Sequence, residues 1–351
     1  MSQYEFIKAA LGQPHQKVPI WIMRQAGRYM AEFRELREKV SFMEICHSPE
    51  LIADVTRQPI DKFGFDAAIM FSDILLPLEP LGFKINYENG INLTPPIRHP
   101  DDVARLKKID PASDMDFVLA GIRETKRRLN DTVPLIGFCG SPFTMACYLV
   151  EGGSSWNFTE IKKFIYNHPL AARHLMEQLA EISGRYLALQ IQNGVDAVQI
   201  FDSWGGILSP QYYQQFSLPY LKTVLALCRS EKIPRIVYLN NARPYLHLLA
   251  ELDCEVAGID WRTDLIEAAD ILDGKTLQGN LDPHLLLGPA DTLREETLSI
   301  LETMADRHGF IFNLGHGINP ETPEANVRLL VDTVQSWARP DNSLPAPDSA
   351  F

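Results

Sequence analysis

Residues 197–203 read AVQIFDS. A short, mostly apolar run with β-branched and aromatic residues stops abruptly at an aspartate and a serine. It is too short for a typical helix and too uniformly apolar for a half-exposed strand. It predicts a strand buried on both faces, as in a parallel sheet. Similar runs recur at PIWIM (19–23), AAIMF (67–71), LIGFC (135–139), RIVYL (235–239), VAGI (256–259), TLQGN (276–280) and FIFNLG (310–315). Between most of them lie amphipathic stretches of helical length, such as LMEQLAEISGRYLALQIQ (175–192) and TLREETLSILETMADRH (292–308). About eight strand–helix alternations predict an α/β chain of the (β/α)8 TIM-barrel type. The long gaps fall early, between the first four runs. Insertions in these early βα loops are expected to build a deep active-site cleft over one end of the barrel. No composition break marks a second domain, and no repeat has a fixed period. Residues 1–337 are therefore expected to form one barrel domain. The proline-rich, polar stretch ARPDNSLPAPDSAF (338–351) is expected to be a mobile tail.

The 351 residues are 46% hydrophobic and 22% charged, an ordinary composition with length enough for a large core. A formal net charge of −12 argues against general affinity for nucleic acid or for an anionic membrane. An anionic ligand would have to be met by local cations acting against the overall field. The cysteine count, five, is odd, and no pair has CxxC spacing. This predicts free thiols packed as small hydrophobes in a reducing compartment, with no disulfide framework and no zinc cage. The opening MSQYEFIKAALGQPHQK has no apolar signal core and no transit-peptide character. No apolar run approaches the ~20 residues of a membrane span. A cytoplasmic protein is expected.

The residues following each predicted strand form a pattern. They are Arg24 and Arg28; Ser72 and Asp73; Gly140 and Ser141; Asp202 and Ser203; Asn240 and Asn241; Asp260; Gln278 and Asn280; Asn313 and His316. In a barrel these would gather at the C-terminal face, where barrel active sites lie. Loops are polar in any case, so the set carries more weight than any one member.

Within WIMRQAGRY (21–29), two arginines four apart flank Gly27. Solvated loop arginines are the plainer reading. However, two guanidiniums beside a helix start repel each other and the positive helix end unless an anion lies between them. Each can grip a carboxylate with two parallel hydrogen bonds. Asp73 is either a capping group or a functional anion. Gly140-Ser141-Pro142 reads as a helix start, with serine as cap and proline in the first turn. That helix would run to Gly152-Gly153 and carry Tyr148, which on pattern alone is a core residue with a wet hydroxyl. Ser203, in FDSWGG, lacks the GxSxG elbow of a nucleophile and is a plausible hydrogen-bonding group. His316 sits between two glycines that would let backbone approach a ligand, and is otherwise a structural histidine. Thr322-Pro323 is expected to cap the last helix. The GKT at 274–276 is not a phosphate loop: Ala269 replaces the upstream glycine, and the segment leads into a strand.

Together RQAGRY (24–29), FSDIL (71–75), GFCGSPFTMACYLVEG (137–152), FDSWGG (201–206) and NLGHGINPETP (313–323) resemble the uroporphyrinogen decarboxylase family from about residue 3 to 337. The resemblance implies a (β/α)8 barrel that pairs as a homodimer across the barrel mouths. It implies a carboxy-lyase that converts the four acetates of uroporphyrinogen III to methyls, giving coproporphyrinogen III for haem and chlorophyll biosynthesis. It implies no metal and no organic cofactor. Substrate binding is carried onto Arg24, Gln25, Ala26, Gly27, Arg28, Asp73, Tyr148, Ser203 and His316. Asp73 is implied as the stabiliser of a cationic transition state. The proton donor is left open among Arg28, Tyr148, His316 and a substrate carboxyl. Corrinoid methyltransferases are similar in fold but hold zinc through an HxC motif, and no HxC occurs in this sequence. A non-catalytic tetrapyrrole carrier would need the arginines but could dispense with Asp73.

Overall fold

The structure is a computed structural model and describes residues 3–87, 90–307 and 309–338. The expected mobile tail lies, beyond Ala338, outside the described residues. Nine strands are present among them: β1 (Ala68–Ile69), β2 (Lys84–Asn86), β3 (Asn92–Thr94), β4 (Leu135–Gly140), β5 (Ala197–Asp202), β6 (Arg235–Leu239), β7 (Val256–Ile259), β8 (Thr276–Leu281) and β9 (Phe310–Leu314). Seven form one curled parallel sheet in the order β1-β4-β5-β6-β7-β8-β9. The other two, β2 and β3, make a separate antiparallel hairpin inserted between β1 and β4.

Burial explains why the strands read as unbroken apolar runs. Strands β4, β6, β7, β8 and β9 are buried at every residue, and β5 at all but Phe201. Their side chains still alternate, but between two different apolar environments. Ile136, Phe138, Ala197, Ile236, Tyr238, Val256 and Ile311 point to an inner cluster. Leu135, Cys139, Val198, Ile200, Val237 and Leu239 point outward, under the helices. The helix Glu5–Ala10 adds Phe6, Ile7, Ala9 and Ala10 to the inner cluster. Each large aliphatic or aromatic side chain buried this way contributes about 1.5–3 kcal/mol.

The helices follow the predicted pattern with shifted ends. The helix predicted at 175–192 begins earlier, spanning Pro169–Gln192 with proline in its first turn. The one predicted at 292–308 spans Ala290–Thr303. Ser141 caps Pro142–Glu151, and Gly152 ends that helix in the left-handed conformation, as its residue types predict. The last helix, Glu324–Ser336, departs from expectation: Pro323 is its N-cap, and the buried Thr322 hydroxyl has no partner. All five cysteines are free and buried. No helix among the described residues is long and apolar enough to cross a membrane.

The first predicted strand, 19–23, does not form a ladder. It makes a single parallel bridge, Ile20 to Phe312. Phe312 N–H donates to Pro19 O at 2.9 Å, and Asp66 N–H to Ile20 O at 2.9 Å. Trp21 N–H completes the bridge by donating to Phe312 O (3.4 Å), and pairing stops there because the other N–H groups are missing or taken by side chains. Pro19 has none. Ile20 donates to the Asp66 carboxylate (2.8 Å) and Met23 to Asn313 Oδ1 (3.1 Å), both side chains.

Candidate active site

A cavity of 580 Å³ opens where Ile69, Phe138, Phe201 and Tyr238 stand at or near the C-terminal ends of their strands. Its wall includes Arg24, Ala26, Gly27, Arg28, Ser72, Asp73, Tyr148, Ser203 and His316. The structure thus brings together eight of the nine residues picked out as binding groups, with Ser72 beside them. The exception is Gln25. It is fully buried, donates to Ala67 O (3.1 Å) and accepts from Ile22 N–H (3.3 Å). Gln25 therefore pins the arginine loop to the sheet and does not line the cavity.

The loop is braced from several sides. Tyr29 donates its hydroxyl to Gln25 O (2.7 Å), and Arg34 donates to the carbonyls of Arg28 (2.8 Å) and Tyr29 (2.7 Å). Arg24 takes a left-handed backbone conformation, φ +64°. Its stem rests against Gly317, where an added Cβ would lie 2.6 Å from Arg24 Cδ. At Gly315 a Cβ would lie 2.4 Å from Trp261 N. Both glycines around His316 thus allow close packing against the protein's own chain, and Gly317 also lines the cavity. Gly317→Ala is expected to displace the Arg24 guanidinium, weakening an anionic ligand by up to the ~1.5–3 kcal/mol of a charged hydrogen bond. Calorimetric titration and a melting curve on the same sample check this; undiminished affinity in a folded variant would exclude the support role.

Asp73 Oδ1 accepts from Leu75 N–H at 2.8 Å, so the carboxylate caps its own turn while its body faces the cavity. Burial raises its pKa above the usual aspartate value. The Leu75 N–H, the nearby Tyr87 hydroxyl and the Arg24 charge oppose that rise without cancelling it. In the free protein desolvation outweighs these opposing groups. His316 is pushed down to about 4 by burial and then by the positive charges of Arg24 and Arg262, with Asp260 opposing. Its imidazole is neutral at pH 7. Because an ordinary histidine titrates near 6.5, this group lowers stability as pH falls from 6.5 toward 4. Burial also raises the Tyr148 hydroxyl.

Most other polar residues at the strand ends are spent on structure. Asp202 is fully buried and accepts from Ser141 Oγ (2.6 Å), Thr144 Oγ1 (3.2 Å), Ser217 Oγ (2.9 Å) and Gly205 N–H (3.2 Å). Asp260 accepts from Ala242 N–H (2.9 Å), Thr263 Oγ1 (3.1 Å) and Arg262 Nε (2.6 Å). Asn240 accepts from Arg262, while Asn241 donates to Gly206 O. Asn280 donates to Asp260 O and Thr263 O. Gln278 sits in an interior chain, accepting from Trp21 Nε1 and donating to Gln199 Oε1, both at 3.0 Å. Asn313 accepts from Met23 and Leu314 N–H. A strand end leaves backbone groups without ladder partners, and these side chains supply them.

Arg37 and Tyr87 are among the lining residues that the sequence pattern did not single out. Arg37, in the last turn of the helix Ala31–Arg37, is a third cation on the wall. Its signal was faint, one of several charges in AEFRELREK. Tyr87 enters from the β2–β3 hairpin. Nothing local distinguishes it from an ordinary strand tyrosine. Neither Arg24 nor Arg28 is paired with a carboxylate among the described residues, whereas Arg235 and Arg262 are. Three arginines, one aspartate and a partly apolar wall make a site for a polyanionic molecule with an apolar body. Among the described residues no three His, Cys, Asp or Glu side chains are grouped to hold a metal ion.

Fold and site together define an α/β enzyme scaffold whose ligand cavity lies at the C-terminal ends of parallel strands. The chain belongs to the uroporphyrinogen decarboxylase family, whose model, described as "Uroporphyrinogen decarboxylase (URO-D)", matches residues 1–337. The uroporphyrinogen decarboxylase of Syntrophotalea carbinolica is 47% identical over 332 residues, covering 94% of this chain and 97% of its own. That of Carboxydothermus hydrogenoformans is 44% identical over 332 residues, covering 94% and 95%. Among solved structures, a methyltransferase from Methanosarcina mazei superposes with a TM-score of 0.78 over 94% of this chain and 96% of that one. At 23% identity that likeness bears on fold alone.

Proposed function

We propose that this chain decarboxylates the four acetate side chains of uroporphyrinogen III to methyls, releasing coproporphyrinogen III. The observation that carries the reading is a half-buried aspartate set among cavity-lining arginines, in a chain of this family. The substrate bears eight carboxylates around an apolar macrocycle. Arg24, Arg28 and Arg37 supply forks for carboxylates, and the apolar wall suits the rings. Ala26 and Gly27 keep the loop surface low between the first two arginines. Tyr148, Ser203 and neutral His316 offer hydrogen bonds to the remaining carboxylates.

Direct loss of carbon dioxide from an acetate would leave an unstabilised carbanion. Protonating the pyrrole α-carbon first makes the ring a cationic electron sink, and decarboxylation then neutralises it. Asp73 accepts hydrogen bonds from pyrrole N–H groups, and its charge favours that cation over the neutral ground state. Of the candidate proton donors, neutral His316 and the raised Tyr148 hydroxyl are poor acids at pH 7. An arginine does not give up its proton. These facts support a carboxyl group of the substrate itself as the donor.

The wider reading has the same basis. The hydrogen bonds of Ile20 to Asp66, just before β1, and of Pro19 and Trp21 to Phe312 in β9 support residues 19–23 as the remaining stave of a closed (β/α)8 barrel. That barrel would be one domain over 1–337, with the insertion after β1 walling a deep cleft. Family membership supports a cofactor-free homodimer in haem and chlorophyll biosynthesis, and sedimentation at the monomer mass would refute the dimer. The net charge of −12 supports an enzyme without nucleic-acid or membrane partners, and the free cysteines support a cytoplasmic one.

The test is anaerobic incubation of pure protein with uroporphyrinogen, separating products by carboxyl number. Conversion from eight carboxyls to four is expected; unchanged substrate would overturn the reading. Arg28→Ala is expected to weaken substrate binding by roughly 1.5–3 kcal/mol, and Arg28→Lys to recover only part, because an ammonium lacks the planar fork. Equal KM in wild type and Arg28→Ala would remove Arg28 from the site.

A further inference from the structure

The hairpin residue Tyr87 occupies an unusual position. Its ring lies against Phe42, with centroids 4.6 Å apart, and Phe42 lies against Phe71 at 5.6 Å. The aromatic body is thereby fixed. Its hydroxyl is buried in the wall that also carries Asp73, and it meets no partner at full hydrogen-bond geometry. It nevertheless comes close enough to hold the Asp73 carboxyl down against desolvation. A buried hydroxyl left unpaired is costly, so a carboxylate within reach is its natural acceptor.

Asp73 has room for it. Leu75 N–H uses one acceptor position on Oδ1, and an ionised carboxylate offers about four. We propose that Tyr87 is a positioning residue for Asp73: its hydroxyl donates to a lone pair that Leu75 leaves free, keeping the carboxylate ionised and aimed into the cavity. The other groups acting on this carboxylate come from separate elements. Arg24 approaches from the loop after residue 23, while Asp73's own charge raises Tyr148 on the helix after β4 and Cys46 on the helix Phe42–His47. Glu79 acts in turn on Tyr87 and Cys46. Arg24 is the cation in that set and Tyr87 the hydroxyl donor. Together they oppose desolvation by charge and by hydrogen bonding respectively.

The kinetic part of the inference rests on the decarboxylase reading, whereas a titration of Asp73 in the free protein does not. Tyr87→Phe removes the hydroxyl and keeps the ring. With carbon-13-labelled aspartate, the Asp73 carboxyl signal is followed against pH by NMR in wild type and variant, using Asp73→Asn to assign it. The midpoint is expected to rise by about one pH unit in Tyr87→Phe, the shift that corresponds to one charged hydrogen bond. The acid limb of kcat/KM should move up with it. Incorporating 3-fluorotyrosine at position 87, a stronger donor of nearly the same shape, should move the midpoint the other way. A midpoint unmoved in both proteins overturns the proposal. So does a raised KM with an unmoved midpoint, which would put the hydroxyl on the substrate. An active-site titration that behaves as expected in a protein without decarboxylase activity would retain the Tyr87–Asp73 pair and discard the decarboxylase reading.

Discussion

Asp73→Asn is expected to lower kcat by about 10²–10³-fold, the loss typical of one preorganised transition-state contact. Its melting temperature should be unchanged or higher. The amide is nearly isosteric, and its oxygen can still accept from Leu75 N–H, so the turn after β1 survives. What disappears is a negative charge opposite the protonated pyrrole. The stability side follows from the raised pKa. A carboxyl whose folded pKa lies above its unfolded value binds its proton more tightly in the native state. The stability this contributes is present below the unfolded pKa and is lost as pH rises through the folded one. At neutral pH the charged Asp73 is therefore held at a cost to the fold, and the neutral amide relieves it. For activity the sign is opposite: as pH falls through the folded pKa, the carboxylate protonates and turnover is lost. The acid limb of kcat/KM should lie above the range of an ordinary aspartate and be absent from the residual activity of Asp73→Asn. Near-normal kcat in the folded variant would eliminate the electrostatic role.

Asp202→Ala should behave in the opposite way, as a folding variant. The substitution withdraws the acceptor shared by Ser141, Thr144, Ser217 and Gly205, all buried. These groups tie the start of the helix Pro142–Glu151 to the end of β5 and to the residue preceding the helix Leu218–Leu227. Loss of several hydrogen bonds to one buried acceptor is expected to cost on the order of 3–4 kcal/mol. For a chain of this length that lowers Tm by roughly 4–6 °C. Turnover per folded molecule should fall far less than in Asp73→Asn, because Asp202 does not line the cavity. Paired melting curves and kcat values would show it: an undiminished Tm would contradict the network, and a kcat loss matching Asp73→Asn would place Asp202 in the chemistry.

These two aspartates show where reading the chain stops. FSD (71–73) and IFDS (200–203) look alike: an apolar strand, then a carboxylate beside a serine. One faces the cavity and the other is consumed by three hydroxyls. The difference lies in what surrounds each carboxylate, including Ser217 at the junction of two later helices and Tyr87 on an inserted hairpin. Backbone and side-chain direction at a strand end decide it, and neither is a local property of residue type.

The sequence by itself determined the parallel sheet, because strands covered on both faces must be apolar throughout, and that leaves uninterrupted runs such as LIGFC and RIVYL. It also determined the arginine pair, because two unneutralised cations beside a helix start have no comfortable place without an anion. Serine before proline marked the helix carrying Tyr148, since capping is settled within one turn. Only the tertiary structure decided that residues 19–23 make a bridge instead of a ladder, because Asp66 and Asn313 capture the needed N–H groups from distant parts of the chain. It alone brought Arg37 and Tyr87 to the cavity and withdrew Gln25 from it. It also decided that burial and Arg24 keep His316 neutral at pH 7. Periodicity and capping are short-range and therefore visible in the residues themselves. Which polar group faces the cavity, and in what charge state, depends on neighbours that only folding brings within a few ångströms.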